Sequence, residues 1–216
     1  MGTSGPADMA AVEIAAHHRR YLAAKRIFDI GLCVVALPVV MLAFAVCAVA
    51  IRLESRGPIV FRQERTGRHG RRFQMYKFRT MVENAEELKS GLQHLSIVPP
   101  PDFKIIDDPR ITRVGRFLRK TSLDELPQVL NVLRGEMSLV GPRPTSFSPS
   151  TYQLWHTERL EVLPGITGLW QILGRNAATF DERLRLDIAY IDQMSFRTDI
   201  WILAQTMLSV VRRSGA

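Results

Sequence analysis

The sequence predicts an α+β, mostly helical fold. It consists of a re-entrant membrane helix, which dips into one leaflet and returns, and a small cytoplasmic domain with a β-hairpin and interfacial amphipathic helices. Three observations predict it. Ile30 to Ile51 runs for 22 residues without a charge. The residues on either side of Thr66 to Gly70 alternate apolar and polar, and apolar residues further on recur at helical spacing. The chain divides accordingly into a tail and amphipathic helix (1–24), the membrane-embedded helix (25–56) and the cytoplasmic domain with its interfacial C-terminal helix (57–216).

Residues 1 to 10 are small and are expected to be disordered. Ala11 to Ala24 reads as a mildly amphipathic helix with His17, His18, Arg19 and Arg20 on its polar side. The uncharged run would extend roughly 33 Å as a helix, enough to cross a hydrocarbon core. Pro38 lies near its middle, where it removes a backbone hydrogen bond and bends the helix. Arg19, Arg20, Lys25 and Arg26 precede the run, and Arg52, Arg56, Arg62 and Arg65 follow it. A crossing helix keeps its basic excess on one side, so this symmetry places both ends in the cytoplasm, with a turn near Pro38. A full span and a buried soluble helix are the alternatives. No small-residue cleavage site marks a signal peptide. Cys33 and Cys47 are too far apart along one helix to bridge and are read as free thiols.

From Gly57 to Met81 the pattern is a β-hairpin whose turn lies at Thr66–Gly70, with Arg and Lys on one face and Phe61, Phe73, Met75 and Phe78 on the other. A formal net charge of +8 and a pI near 10.1 call for an anionic partner. Nucleic acid, anionic headgroups and a sugar nucleotide all qualify by charge. The hairpin's position just after the membrane helix favours headgroups or a lipid phosphate. Val82 to Leu95 reads as a helix and Ser96 to Asp108 as a proline-bearing loop. Asp107, Asp108 and Pro109 are expected to cap a basic helix carrying Arg110, Arg113, Arg116 and Arg119 on roughly one face, part of it anion-binding.

The chemistry concentrates between Arg119 and Pro144. Ser122 and Glu125 form the pattern of a capping box ahead of Leu126, Val129, Leu130, Val132 and Leu133. Such boxes are common, and alone this one would mean only a helix start. Asp124 and Glu125, however, then fall in a first turn, where the backbone N–H groups favour carboxylate or phosphate. Neighbouring helix positions diverge by roughly 100°, so one carboxylate would attack while the other holds a metal ion or a proton. Arg119, Lys120 and the Pro-flanked Arg143 supply cations suited to phosphate. Beyond them, Thr151 to Val162 reads as a helix. Pro164 to Asn176 reads either as a loop folding over a planar ligand or as a tight turn with Trp170 in the core. Helices follow at 180–194 and 197–213, the last too short to span and suited to the interface plane. The five histidines lack zinc-ligand spacing.

Six segments together resemble the bacterial sugar transferases, the monotopic phosphoglycosyl transferases, over about residues 20 to 213. They are Lys25–Asp29, Phe61–Gly67 with Lys77–Met81, Thr121–Gln128, Met137–Pro144 and Pro164–Gly168. The resemblance implies transfer of a sugar-1-phosphate from a UDP-sugar to a polyprenyl (undecaprenyl) phosphate at the cytoplasmic face of the bacterial inner membrane, with release of UMP. It implies Asp124 as the nucleophile that carries a phosphosugar, Glu125 as a ligand of Mg²⁺, and Arg119 and Arg143 as phosphate and substrate contacts. Lys77, Arg79, Gln171 and Asn176 join them as binding candidates. The partners implied are the two substrates and membrane lipids, not nucleic acid, and self-association is left open. Leu37 stands before Pro38 where members often have Ser. Larger members carry additional N-terminal spans, so the chain reads as a compact member or a catalytic fragment. The competing readings are a basic membrane-surface scaffold or anionic-ligand module without catalysis, and a phosphotransferase for another nucleotide-activated headgroup.

Overall fold

The structure, a computed structural model, describes residues 6–97, 103, 105–147, 154–173 and 179–212. Helix α1 (Pro6–Glu54) contains Pro38 and is helical on both sides of it. The tail helix and the membrane helix expected from the sequence are therefore one element. Both halves of α1 rest on the same domain. Cys33 packs with Met75, Val132 and Met137, and Cys47 and Ile51 pack with Phe78 and Leu118. The outward face carries Val34, Val35, Val39, Met41, Leu42, Val46 and Val49, each 54–78% exposed. At about 1.5 kcal/mol or more per aliphatic side chain left in water, such a stripe would cost about 10 kcal/mol. It requires an apolar surround.

Strand β1 (Val60–Thr66) pairs antiparallel with β2 (Arg72–Phe78), with Phe61 opposite Lys77 and Gln63 opposite Met75. The turn is tight, with His69 at φ 55° and Gly70 at φ 73°. The register corrects the predicted faces. Lys77 shares a face with Phe61, Phe73 and Met75, whereas Phe78 lies on the opposite one, because residues of one face alternate along a strand. The hairpin is clamped to α4 (Val129–Arg134) by Asn131, which is fully buried. Its Oδ1 accepts from the Tyr76 N–H at 3.1 Å, and its Nδ2 donates to the Gln74 carbonyl at 2.7 Å and to Glu136 at 2.6 Å.

The helix expected over 82–95 is short: α2 (Ala85–Lys89) passes into a 3-10 turn over Ser90–Leu95. Ser90 and Gly91, both weak helix formers, stand at the change. Helix α3 (Arg113–Thr121) is not capped by Asp107 or Asp108. Thr112 Oγ1 accepts from the Gly115 N–H at 2.9 Å, and the Glu54 carboxylate at the end of α1 accepts from the N–H groups of Arg113 at 2.8 Å and Val114 at 2.9 Å. Asp108 instead grips Arg110, at 2.9 Å to Nε and 2.6 Å to Nη2, both side chains buried. That pairing removes Arg110 from the anion-binding face the sequence suggests. Glu54→Ala is expected to cost about 1 kcal/mol through the lost cap, read as a lowered midpoint in thermal unfolding.

Two short parallel strands went unpredicted: β3 (Ser138–Val140) and β4 (Gly165–Thr167). After β4 come α5 (Leu169–Leu173), α6 (Phe180–Asp192) and α7 (Phe196–Val211). A capping box does occur at the start of α6, between Thr179 and Glu182. Asp199 on α7 is fully buried and accepts from Tyr21, Lys25 and Tyr190, each at 2.7 Å, so the base of α1 is tied to the C-terminal helices. Ile200, Trp201, Met207 and Leu208 stay exposed along α7, the apolar face that an interfacial helix presents.

Candidate active site

The site begins where α3 stops. Ser122 takes a left-handed conformation (φ 58°), ends α3 and turns the chain into a 3-10 helix, Leu123–Gln128. Asp124 and Glu125 stand in its first turn as expected, but no capping box forms. The Ser122 side chain makes no cap hydrogen bond, and the Glu125 carboxylate turns away to two cations. Positive charge outbids a backbone N–H for a buried carboxylate.

Glu125 Oε1 lies 2.8 Å from Lys77 Nζ on β2 and 3.0 Å from Arg143 Nη2. Lys77 Nζ also stands 3.9 Å from Asp124 Oδ2. The two carboxylates are only 13% and 16% exposed, so these charges act with little solvent screening. Their environments push them in opposite directions. Burial raises Glu125, but Arg143 and Lys77 outweigh it and hold the carboxyl down at about 2. For Asp124 burial prevails over the attraction of Lys77, and the neighbouring Glu125 charge adds to it, so its carboxyl sits above the ordinary aspartate value. Arg119 donates through Nε to Thr80 Oγ1 at 2.9 Å, and its charge pulls on Asp124.

A pH dependence follows for Glu125. Its folded value lies below its unfolded one, so its ionised form stabilises the fold fully above about pH 4.5, and that contribution fades as pH falls toward 2. The gap in thermal stability between wild type and Glu125→Gln is expected to be largest near neutrality and to close between pH 4.5 and 2. A gap independent of pH across that window would contradict the ion-pair geometry.

Arg143 reaches Glu125 from a segment whose backbone is held on both sides. The Gly141 N–H donates to the Thr167 carbonyl at 2.9 Å, and the Gly165 N–H to the Pro142 carbonyl at 2.9 Å. Of the stretch from Pro164 to Asn176, read as a ligand-covering loop or a tight turn, Gly165–Thr167 is a strand and Leu169–Leu173 a helix, and 174–178 lie outside the described residues. The Arg143 loop is built against that strand. Trp170 lies in α5 with the Arg183 guanidinium 5.8 Å from its ring. Gln171 donates to the Ile166 carbonyl at 3.2 Å. Arg79 donates to Ser55, at 2.8 Å to both its carbonyl and hydroxyl, which pins the hairpin to the end of α1. Asn176 lies outside the described residues. The geometry therefore brings together Asp124, Glu125, Lys77, Arg119 and Arg143, and assigns Arg79 and Gln171 backbone contacts elsewhere. Thr80, which orients Arg119, went unpredicted, since a lone threonine carries no spacing signal.

Comparison with known proteins places the chain in a family. The model of the bacterial sugar transferase family matches residues 20–213. The chain belongs to that family. The chain is 45% identical over 198 residues to the galactosyl transferase CpsE of Streptococcus agalactiae, covering 91% of this chain and 44% of that one. It is 49% identical over 165 residues to the undecaprenyl-phosphate galactose phosphotransferase of Salmonella typhimurium, covering 74% and 35%. It is 38% identical over 200 residues to the exopolysaccharide production protein ExoY of Sinorhizobium fredii, covering 89% and 87%. The chain therefore spans less than half the length of the first two and most of the third. Among the described residues, no three His, Cys, Asp or Glu side chains gather into a metal cage. The donor set still fits Mg²⁺, which binds through one or two carboxylates and completes its shell with water and substrate phosphates.

Proposed function

We propose that this sugar transferase moves a sugar-1-phosphate from a UDP-sugar to polyprenyl (undecaprenyl) phosphate and releases UMP, an opening membrane step of exopolysaccharide or glycoconjugate synthesis. The observation that carries the reading is the unequal treatment of the two carboxylates. Glu125 is locked between Lys77 and Arg143 and is a poor base, whereas Asp124 keeps the higher basicity a nucleophile needs. An Asp124 oxygen attacks the phosphorus that bears the sugar. The bond between that phosphorus and the bridging oxygen breaks, and UMP departs with the electron pair. A phosphate oxygen of the polyprenyl phosphate then attacks the same phosphorus, the aspartyl bond breaks, and Asp124 is restored as carboxylate. Lys77, Arg119 and Arg143 oppose the charge that develops on the phosphoryl oxygens. Bound Mg²⁺, held by Glu125, would neutralise the pyrophosphate. Full-length protein in membranes, given undecaprenyl phosphate and either UDP-galactose or UDP-glucose, is expected to release UMP. Absence of UMP with every UDP-sugar tested would reject the reading.

The same proposal places the transferase on the cytoplasmic face of the inner membrane, with α1 entering and leaving one leaflet. Its support is that Lys25 at one end of the apolar run and Ile51 and Glu54 at the other are all tied to the same domain. Basic flanks at both ends agree. Cysteines introduced singly at Arg20 and Arg56 are expected to react equally with a membrane-impermeant maleimide applied from the cytoplasmic side. Opposite accessibility would establish a spanning helix instead.

A further inference from the structure

A buried ion pair with no place in the chemistry above lies directly behind Arg143. Arg159, on the 3-10 helix Leu154–Leu160, and Asp187, on α6, are 4% and 2% exposed, 28 residues apart, and meet at 2.6 Å between Nη2 and Oδ2. The same Arg159 nitrogen donates to the Arg143 backbone carbonyl, and the Arg143 peptide N–H favours the charge on Asp187. Arg159, itself held by Asp187, thus fixes the Arg143 peptide at its carbonyl, and the Arg143 side chain projects from that peptide to Glu125, 3.0 Å away. A buried ion pair adds little net stability, since desolvation offsets its attraction.

We infer that Asp187 and Arg159 are positioning residues which aim Arg143 at the phosphates of the nucleotide donor. The inference rests on the transferase reading, and it extends the site beyond side chains that touch substrate. Burial pushes the Asp187 carboxyl up to about 6 against the pull of Arg159, so the charge is kept at a cost that only its neighbours oppose. A displacement of about 1 Å in a substrate-orienting group can cost 10²-fold in rate, which is the scale on which such a pair would act.

The test is a double-mutant cycle on the full chain in lipid nanodiscs, with UDP-galactose or UDP-glucose as donor. UMP release gives kcat/KM, calorimetry gives the affinity for UDP, and a thermal midpoint monitors folding. Asp187→Asn is expected to lower kcat/KM by tenfold or more and to weaken UDP binding in the native background. In an Arg143→Ala background it is expected to change either by less than twofold, because there is no longer a guanidinium to aim. Arg159→Lys, which keeps the charge but not the forked contact, should fall between. An equal loss in both backgrounds would overturn the inference and leave only a folding role, as would native kinetics in Asp187→Asn. If Asp187→Asn does not fold, the Arg159→Lys cycle decides by the same criterion. A wild type that binds UDP but releases no UMP would reject the reaction, while the positioning inference would still be judged on the UDP cycle. A wild type that neither binds UDP nor releases UMP rejects both.

Discussion

Asp124→Asn is expected to abolish UMP release, by at least about 10³-fold, while the protein folds and reaches the membrane normally. Asn has the shape of Asp and lacks the anionic oxygen that would attack phosphorus. Glu125 cannot take its place. Its Oε1 is held 2.8 Å from Lys77 and 3.0 Å from Arg143, and its carboxyl, down at about 2, is too weakly basic to compete. Stability should not suffer. Burial raises the Asp124 carboxyl despite Lys77, so at neutral pH the charged form is held against its preference, and removing the charge is expected to leave the thermal midpoint unchanged or slightly higher. Two measurements separate this from a general loss of binding. With donor present and undecaprenyl phosphate omitted, wild type should release about one UMP per chain and gain the mass of a phosphosugar. Asp124→Asn should do neither and still bind UDP. Wild-type turnover in Asp124→Asn, with deamidation excluded by mass, would remove Asp124 from the mechanism.

What the sequence discloses depends on how local the signal is. The apolar run, the alternating strands and the Asp124–Glu125 pair are patterns within a few residues, and each lies where periodicity or motif spacing places it. Lys77 was found as a basic residue but assigned to the wrong company. A strand's two faces are distinguishable only when the register is known, and here the register puts Lys77 beside Met75 and toward the carboxylates. The capping box at Ser122 failed for a different reason. The local pattern was sound, but Lys77 and Arg143, 48 and 18 residues from Glu125, offered its carboxylate stronger partners. Asp187 and Arg159 lie in stretches that read simply as helix, the first as α6 and the second as the 3-10 helix Leu154–Leu160 in the structure. Nothing short of the fold reports that they meet behind Arg143. The pairing of β3 with β4 was equally hidden, since three-residue strands carry too little alternation to recognise.

Gly165→Ala is expected to do severe harm to the scaffold. A Cβ at Gly165 would lie 2.1 Å from the Gly141 nitrogen, 2.4 Å from the Thr167 oxygen and 2.7 Å from the Gly141 Cα. All three are backbone atoms, so no side-chain rotation relieves the contact. The strands must separate. Their separation threatens the bonds from Ser138 N–H to the Pro164 carbonyl at 2.8 Å, from Gly141 N–H to Thr167 at 2.9 Å and from Gly165 N–H to Pro142 at 2.9 Å. At about 1 kcal/mol for each bond, with about 1–3 kcal/mol for overpacking, the loss is about 4–6 kcal/mol. That is a large part of the 5–15 kcal/mol that typically holds a domain together. Because Pro142 and Arg143 follow directly on Gly141, whatever protein remains folded should also lose about 10²-fold in UMP release as the guanidinium leaves Glu125. Gly91→Ala is the control, since nothing lies within 4 Å of a Cβ there and both stability and turnover should be retained. If Gly165→Ala kept the wild-type thermal midpoint and rate, the two strands could not approach as closely as described, and the rigid backing of Arg143 on which both the site and its positioning pair depend would be lost with them.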